Sequence, residues 1–264
     1  MSIHPNAVVD PAAELAPDVV VGPFSVIEAD VKIGRGTCVA SHVRISGPCI
    51  IGENNQIDSF AALGGAPQDL GYKGEATELI IGNDNQIREY VSIHRGTPKG
   101  GGKTVIANNT LIMAYAHLGH DCRIEDYVII VNAAMLGGHT EVAAHATVGG
   151  LTGTHQFSRI GAYAFIGGGS AVSKDVPPYA MVTGERGQMK ISGLNKIGLR
   201  RNGFSGETIK KIDAAYRILF HSDLLHNEAL EQVEKEMGDD DAVAELVQFI
   251  RASKRGVVKR VKKG

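Results

Sequence analysis

Residues 106–148, IANNTLIMAYAHLGHDCRIEDYVIIVNAAMLGGHTEVAAHATV, carry an aliphatic side chain at every sixth position. The positions are Ile106, Ile112, Leu118, Ile124, Ile130, Leu136, Val142 and Val148. An amphipathic helix repeats every 3.6 residues and a half-buried strand every two, and neither period alone explains a strict spacing of six. The stretch is therefore an internal repeat, and a fixed repeat indicates a fold built from stacked structural units.

The same period extends through most of the chain on both sides of this stretch. Thr154 interrupts it once on the C-terminal side, and Ile160, Ile166 and Val172 then complete the series. On the N-terminal side the aliphatic positions are Ile3, Val9, Leu15, Val21, Ile27, Ile33, Val39, Ile45, Ile51, Ile57, Leu63, Ile81, Ile87 and Ile93. The alternating strands of an ordinary β-sandwich would not keep phase over so many units.

A unit of this length is explained if it forms one short strand and one corner, so that three units complete one turn of a triangular coil. The aliphatic side chains then point inward and stack on their equivalents one coil away. Glycines are expected to supply corner conformations that a Cβ would strain. At the usual strand spacing of about 4.8 Å, roughly 26 units would build a prism about 40 Å tall. The sequence predicts a mainly β fold, a parallel β-helix over residues 1–190.

Two segments interrupt the period and are rich in Gly, Pro and charge. They are residues 64–78 (GGAPQDLGYKGEATE) and residues 95–105 (RGTPKGGGKTV). Both are predicted to be loops that leave the coil at a corner, where functional residues are often found. Composition alone slightly favours the other interpretation, insertions that a repeat fold merely tolerates.

The period ends at Pro177-Pro178, and helical spacing follows, which predicts a small α-helical domain over residues 191–264. Ser205 is a candidate N-cap for a helix with apolar residues at helical spacing. A second helix is predicted from Asn227 or Glu228 to Met237, and a third is predicted to be capped by Asp241. From Arg251 onward there are seven basic residues and no acidic one.

Composition excludes several classes of protein. The net charge is −2, which argues against a dedicated nucleic-acid binder. With 43% hydrophobic residues the chain is not disordered. Three Cys in 264 residues cannot form a disulfide framework, and no apolar stretch approaches the length of a membrane span. A soluble cytoplasmic protein is expected.

Four histidines are predicted to gather along one edge of the prism. Counting three units to a coil places His120 one coil below Gly138, the sequence neighbour of His139. Gly138 in turn lies one coil below Gln156, the sequence neighbour of His155. His117 lies three residues before His120. Three interpretations fit a histidine edge: general-base catalysis, a zinc site with imidazole ligands, or corner hydrogen bonds without chemistry. Cys122 occupies the inward fifth place of its unit, which favours packing over covalent catalysis.

Several motifs narrow these interpretations. They are QDLGYKGE (68–75), IHRGT (93–97), AHLGHDC (116–122), THQFSRIGA (154–162), DVPPY (175–179) and GLRRNGF (198–204). The repeat alone resembles the left-handed β-helix acyltransferases, and the motifs, in this order over nearly the whole chain, resemble the UDP-N-acetylglucosamine O-acyltransferase family. The resemblance implies a left-handed coil and a homotrimer with active sites between neighbouring prisms.

The resemblance also implies a reaction and its catalytic residues. A 3-hydroxyacyl group moves from acyl carrier protein to the 3-hydroxyl of UDP-N-acetylglucosamine, the first step of lipid A biosynthesis, with no metal or other cofactor. His120 matches the general base and Gly138 the backbone N–H that stabilises the oxyanion. Asp121 is expected to orient His120, although adjacent side chains of a strand normally diverge.

Further positions match residues that bind substrate in the family. Gln68, Asp69, His117, His139 and Gln156 match substrate-positioning residues, and His155 matches a motif histidine that supports the cleft. Asn195 and Arg201 match nucleotide contacts, because a guanidinium suits phosphate. Gly168 matches the position that sets acyl length, where a bulky side chain would shorten the groove. Basic residues of the helical domain, Lys210, Lys211 and Arg217, are candidate contacts for the acidic carrier protein, whereas the basic tail is expected to be solvated.

Two positions depart from the family pattern. Gly71 stands where the family loop usually has Lys, so a cationic contact is either missing or supplied elsewhere, with Lys73 as a candidate. Asn202 stands where a second Arg is common. Both departures concern the nucleotide phosphates.

Three alternative functions remain at this stage. A UDP-3-O-acylglucosamine N-acyltransferase shares the repeat and a histidine base, but the QDLGYKGE loop and the C-terminal helices fit the O-acyltransferases better. A zinc hydratase of the γ-carbonic anhydrase type would space its ligands differently from His117, His120 and His139. A non-catalytic β-helix scaffold would not need the clustered histidines.

Overall fold

The computed structural model describes residues 2–259, which form a parallel β-helix followed by four α-helices. The strands lie in three sheets, one for each side of a triangular coil. The first sheet contains β1 Ser2–Ile3, β4 Val20–Val21, β7 Cys38–Val39, β10 Gln56–Ile57, β13 Gln86–Ile87, β16 Leu111–Ile112, β19 Ile129–Ile130, β22 Thr147–Val148, β25 Phe165–Ile166, β27 Ala180–Thr183 and β28 Lys190–Leu194.

The second and third sheets are built in the same way. The second contains β2 Val8–Val9, β5 Val26–Ile27, β8 Arg44–Ile45, β11 Ala62–Gly65, β14 Ser92–His94, β17 His117–Leu118, β20 Met135–Leu136, β23 Gly153–Thr154 and β26 Ala171–Val172. The third contains β3 Glu14–Leu15, β6 Val31–Ile33, β9 Cys49–Ile51, β12 Glu78–Ile81, β15 Lys103–Ile106, β18 Arg123–Ile124, β21 Glu141–Val142 and β24 Arg159–Ile160. The predicted left-handed parallel β-helix is confirmed.

The register between coils follows the predicted step of three units. Leu118 pairs with Leu136 in parallel, as do Val148 and Ile166. Leu63 pairs instead with Ile93, because the first predicted loop lies between them. That loop is shorter than predicted, because β11 continues to Gly65. The second is also shorter, because β15 begins at Lys103.

The inward aliphatic side chains form one continuous apolar column. Ile112, Leu118 and Ile130 have no exposed surface, and their equivalents along the coil are almost all buried as well. Burying a side chain of this size contributes about 1.5–3 kcal/mol, so the column is the main source of stability. Ile3 is 38% exposed, because the first coil has no neighbour beneath it.

Most left-handed corner positions are occupied by residues other than glycine, so the expectation that glycines supply them holds only at some corners, such as Gly36 and Gly169. Tyr115, Asp121, Tyr127 and His139 all have φ between 58° and 63°. This left-handed conformation costs roughly 1–2 kcal/mol for a residue with a Cβ. Stacking between corners offsets the cost: the ring centroids of Tyr90 and Tyr115, for example, lie 4.8 Å apart in parallel planes.

The C-terminal part begins with an antiparallel hairpin of β27 and β28, and four helices follow. They are α1 Lys196–Arg201, α2 Gly206–His221, α3 His226–Met237 and α4 Asp241–Arg251. Ser205 caps α2 as predicted, and α3 begins one residue earlier than expected. The cap of α4 is Asp240, whose side chain accepts hydrogen bonds from Ala242 and Val243, so the prediction of Asp241 was wrong by one residue. The short helix α1 was not predicted.

Helix α4 and the segment after it are fixed to the end of the coil by polar contacts. The Tyr179 hydroxyl donates to Glu245 Oε2 at 2.5 Å, and Ser253 Oγ donates to the buried Asp175 carboxylate at 2.7 Å. No helix among residues 2–259 is both long and apolar enough to cross a membrane. Three members of the basic tail, Arg260, Lys262 and Lys263, lie outside the described residues.

Candidate active site

Two neighbouring residues, His120 and Asp121, form a buried hydrogen-bonded pair at one corner of the coil. His120 Nδ1 lies 2.7 Å from Asp121 Oδ2, and the residues are only 7% and 4% exposed. The two side chains converge because Asp121 has a φ of 61°, which turns its side chain toward its neighbour. The expected divergence of adjacent strand residues does not occur, since the pair lies at a corner.

The second loop holds the Asp121 carboxylate in place. Thr97 donates its backbone N–H to Oδ1 at 2.8 Å and its hydroxyl to Oδ2 at 2.7 Å. Gly100 packs so closely that a Cβ there would lie 2.0 Å from Asp121 Cγ. A carboxylate only accepts hydrogen bonds, so His120 presents Nδ1–H to Asp121 and keeps Nε2 free to take a proton. Thr97 and Gly100 were not among the predicted site residues, although IHRGT includes Thr97.

Gly138 lies directly against the His120 ring, one coil further on. A Cβ at Gly138 would lie 2.7 Å from His120 Cε1 and 2.8 Å from Nε2, so only glycine leaves room for the imidazole. The Gly138 N–H donates to no backbone or side-chain acceptor within residues 2–259. The corner therefore brings an available proton acceptor and an available N–H donor together.

His139 completes this corner. Its Nε2 lies 3.5 Å from Asp121 Oδ2, and its ring meets that of His120 edge-on at 5.1 Å between centroids. The ring stacks on Phe157 at 4.2 Å. Partial burial lowers the pKa of His139, and the nearby His120 lowers it further despite the opposing effect of Asp121. The neutral imidazole is therefore the favoured form at neutral pH.

His117 lies on strand β17, beside the corner. Its Nδ1 is 2.8 Å from Ser92 Oγ, and its ring meets His94 edge-on at 4.8 Å. Burial lowers the pKa of His117, and burial with the neighbouring His117 and His120 lowers that of His94 to about 4. Ser92 and His94 were missed by the sequence analysis, because the second loop makes the spacing between Ser92 and His117 longer than one regular coil.

Asp69 extends from the first loop toward the same corner, and Gln68 beside it is exposed. The Gly71 N–H donates to Asp69 Oδ1 at 2.8 Å. That hydrogen bond lowers the pKa of Asp69, and the charge of Lys99 and the nearby His120 and His139 lower it further. Asp69 is therefore an ionised acceptor next to the buried pair.

The predicted edge of four histidines is only partly formed. Phe157, not His155, follows His139 along the corner. His155 and Gln156 are exposed, and His155 Nδ1 lies 3.1 Å from a guanidinium nitrogen of Arg255. His120 and His139 are thus in contact, whereas His117 and His155 lie to either side of them.

Comparison with known proteins provides independent evidence. Residues 175–258 match the family described as UDP N-acetylglucosamine O-acyltransferase, domain 2, and residues 12–47 and 103–138 match the bacterial transferase hexapeptide repeat. The acyl-[acyl-carrier-protein]–UDP-N-acetylglucosamine O-acyltransferases of Burkholderia orbicola and Myxococcus xanthus are 48% and 47% identical to this chain; each alignment covers 97% of this chain and 99% of the relative.

Solved structures of similar fold point to the same family as the sequence relatives. UDP-N-acetylglucosamine acyltransferase from Francisella novicida superposes with a TM-score of 0.96 at 40% identity, covering 98% of this chain and 95% of the other. The Arabidopsis enzyme superposes with a TM-score of 0.84 at 39% identity, covering 97% and 100%. The chain belongs to the UDP-N-acetylglucosamine O-acyltransferase family. The pair of His120 and Asp121 is called the dyad below. It lies, with Gly138 and the two loops, in a UDP-N-acetylglucosamine O-acyltransferase fold.

The two predicted nucleotide contacts, Asn195 and Arg201, lie at a different corner from His120. Asn195 and Arg201 line a cavity of about 810 Å³ together with His145 and Tyr163. The Asn195 amide donates to Tyr163 O at 2.9 Å, and its Oδ1 caps α1. One copy of the chain therefore does not bring these residues to the dyad.

Gly168, the predicted acyl-length position, lies at the third kind of corner. It is exposed, and a Cβ there would lie 3.1 Å from Gly150 O. The second sheet connects this corner with the corner of His120. His120 follows β17 and Gly168 precedes β26, and β17, β20, β23 and β26 are consecutive neighbours in that sheet.

The two departures from the family pattern have local explanations. A Cβ at Gly71 would lie 3.5 Å from Lys99 Nζ, whereas Lys73 Nζ donates within its own loop to Leu70 O at 3.3 Å. Asn202 donates from its side-chain amide to Gly198 O at 2.9 Å, which satisfies a carbonyl at the end of α1. Lys73 is thus bound within its own loop, and Lys99 Nζ is the cation that lies against Gly71.

Among residues 2–259, His120, Asp121 and His139 form a group with metal-ligand potential, and their donor atoms lie within 4.8 Å of one another. His117 is not part of it. Both Asp121 oxygens and His120 Nδ1 already take part in hydrogen bonds, so the cluster is satisfied internally. Cys122 is fully buried, and burial raises its thiol pKa to about 12, which fits a packing role.

Proposed function

We propose that this protein transfers a 3-hydroxyacyl group from acyl carrier protein to the 3-hydroxyl of UDP-N-acetylglucosamine. The observation that carries the proposal is the His120–Asp121 pair beneath an available Gly138 N–H, in a chain of this family. The geometry suits general-base attack of a hydroxyl on a thioester, since it supplies a proton acceptor and an oxyanion donor at one point. In the family's pathway this is the first step of lipid A biosynthesis.

The dyad performs both proton transfers. His120 Nε2 takes the proton of the sugar 3-hydroxyl as the oxygen attacks the thioester carbonyl, and Asp121 stabilises the resulting imidazolium. The carbonyl oxygen gains negative charge, which the Gly138 N–H stabilises. When the tetrahedral intermediate collapses, the carbon–sulfur bond breaks and the imidazolium returns its proton to the departing thiolate. The ester and the free carrier thiol are the products, and no cofactor is consumed.

The surrounding residues position the sugar and the acyl chain. Asp69 offers an ionised acceptor and His139 a neutral imidazole to sugar hydroxyl and amide groups. Gln68, His117, His155 and Gln156 are assigned to substrate contacts around them. The acyl chain runs along the outer face of the second sheet toward Gly168, where outward positions Gly153 and Ala171 are small.

The complete site is assigned to a homotrimer. Asn195 and Arg201 line a cavity at another corner, so a neighbouring copy is needed to bring nucleotide contacts to each dyad. A mixed-subunit experiment tests this. His120→Ala and Arg201→Ala chains are co-expressed with different tags and purified as mixed trimers. Each site that combines an intact His120 with a neighbour's intact Arg201 is active, which is about one of the three sites in every mixed trimer. Mixed trimers no more active than the separate variants would contradict a shared site.

Assignment to the cytoplasm follows from the proposed donor, acyl carrier protein. The related N-acyltransferase reaction is the alternative, and an amine-bearing sugar distinguishes it.

The decisive experiment offers the protein 3-hydroxyacyl carrier proteins of several chain lengths with UDP-N-acetylglucosamine or with UDP-3-O-acylglucosamine, the amine-bearing acceptor of the alternative reaction. Products are identified by mass spectrometry. We expect an O-acylated nucleotide sugar with the hydroxyl substrate. Acylation only of the amine, or no acylation of either sugar, would overturn the proposal.

A further inference from the structure

Lys99 is a cation beside the dyad without an acidic partner at contact distance. It lies in the short 3₁₀ turn Pro98–Gly100 and is exposed. The turn is held against the catalytic corner from both sides, by the Thr97 hydrogen bonds to Asp121 and by the close packing of Gly100 on the same carboxylate. Among the described residues, Lys99 forms no ion pair within 4 Å.

The ammonium group occupies space that a side chain at position 71 would otherwise fill. A Cβ on Gly71 would lie 3.5 Å from Lys99 Nζ and 3.2 Å from Asp69 Oδ1. The charge of Lys99 also helps to lower the pKa of Asp69. The cation therefore stands between the first loop and the dyad.

A cavity of about 580 Å³ opens at this point, lined by Lys99, Asp121, His139, Arg123 and Arg255 among others. The acids that line it are already engaged. Asp121 accepts from Thr97 and His120, Glu141 pairs with Arg159 at 3.3 Å, and Asp175 accepts from Arg159 N and Ser253. The remaining positive charge favours an anion supplied by a ligand.

We infer that Lys99 binds a phosphate group of a substrate and takes over the role of the lysine that the family loop usually carries where this chain has Gly71. The inference rests on the proposed function, because both proposed substrates carry phosphate. One source is the diphosphate of the nucleotide sugar, and the other is the phosphodiester of the carrier protein's pantetheine arm. An ammonium is suited to either as a point charge.

Steady-state kinetics of Lys99→Gln identify the source. We expect the KM for one substrate to rise about tenfold with a smaller change in kcat, as for loss of a hydrogen bond to a charged group. A rise for UDP-N-acetylglucosamine indicates the diphosphate; a rise for the acyl carrier protein indicates the pantetheine phosphate. The salt dependence of that KM should weaken, which a purely structural role would not produce. Lys99→Arg should retain most of the affinity. Lys103→Gln, at the start of β15 directly after the same loop and paired with Glu78, is the matched control.

Moving the charge provides the sharper test. Gly71→Lys in the Lys99→Gln background places an ammonium within reach of the same point, and Gly71 does not have a positive φ that would strain the new side chain. We expect this double variant to recover most of the lost affinity. Unchanged KM values in Lys99→Gln, or the same increase in Lys73→Gln with no effect of Lys99→Gln, would overturn the inference. Absence of turnover by the wild-type protein would instead contradict the proposed function.

Discussion

His120 Nδ1 lies 2.7 Å from Asp121 Oδ2, a contact between sequence neighbours that an ordinary strand would hold apart. The contact depends on the corner, because only the left-handed φ of Asp121 turns its carboxylate back toward the imidazole. Thr97 then fixes the carboxylate through two hydrogen bonds. The catalytic pair is thus a product of the coil's corner geometry and of one inserted loop.

Replacing His120 by Ala should abolish acyl transfer while leaving the assembly intact. The imidazole is the only proposed proton acceptor at the attacking hydroxyl, and its removal leaves the apolar column untouched. Activity is measured with purified protein, and assembly by size-exclusion chromatography with light scattering. His226→Ala, at an exposed helix start, is the control. Substantial remaining turnover would remove His120 from the mechanism.

Asp121→Asn should lower kcat by about two to four orders of magnitude, with little effect on either KM. An amide no longer stabilises the imidazolium and can present its NH₂ to His120, which favours the wrong tautomer. Stopped-flow or steady-state turnover gives the value, and circular dichroism checks the fold. If kcat fell less than about fivefold, Asp121 would be a structural residue of the corner only.

Gly138→Ala should reduce kcat about 100-fold, because the new Cβ would meet the His120 ring at 2.7–2.8 Å and displace it. Gly206→Ala serves as the matched control, since a Cβ there meets nothing within 4 Å. Both variants should retain the wild-type far-UV spectrum. Equal activity of the two variants would show that Gly138 does not constrain the base.

Gly168→Met should shift acyl preference toward shorter chains. A long side chain at this exposed corner would obstruct the groove, and each methylene that loses its buried site costs about 0.8 kcal/mol. In a competition assay with mixed carrier proteins, we expect the ratio of the longest to the shortest accepted product to fall at least about tenfold. Gly168→Ala should show a smaller shift. An unchanged product ratio would refute the acyl-length assignment.

Stability should decrease as the pH falls from about 6.5 toward 4. His94 has a pKa of about 4 in the folded protein against 6.5 in an unfolded chain, because it is partly buried near two other histidines. Between these values the unfolded state binds more protons, so acidification favours unfolding. Urea midpoints measured at several pH values should therefore decrease, and less so in His94→Gln than in His226→Gln. The same decrease in both variants would exclude His94 as a contributor.

The periodicity of six was sufficient to predict the coil, its inward face and the approach of His139 to His120. Periodicity reports which side chains point inward, and it therefore could not report corner conformations. The left-handed φ of Asp121 and its effect on His120 were for this reason not foreseen. Because periodicity does not report corner conformations, glycine was predicted at corners that Tyr, His and Asp occupy.

Contacts that cross the loops were also hidden from the repeat. Ser92 and His117 are neighbours between coils, but the second loop lengthens their separation along the chain beyond one regular coil. Thr97 and Lys99 belong to that loop, where the period of six does not apply. The sequence therefore could not predict that Thr97 contacts Asp121 or that Lys99 lies against Gly71.

The column of inward side chains has a consequence for how such a chain changes length. Each regular turn uses three units, so gain or loss of one full turn leaves every later residue above the same corner. A change of one unit keeps the aliphatic side chains inward but rotates everything beyond it by one side of the triangle, which would separate Gly138 from His120 if it fell between them. Evolution of this architecture should therefore proceed in whole turns placed outside the interval from His120 to Gly138, with irregular lengths confined to excursions such as the two loops.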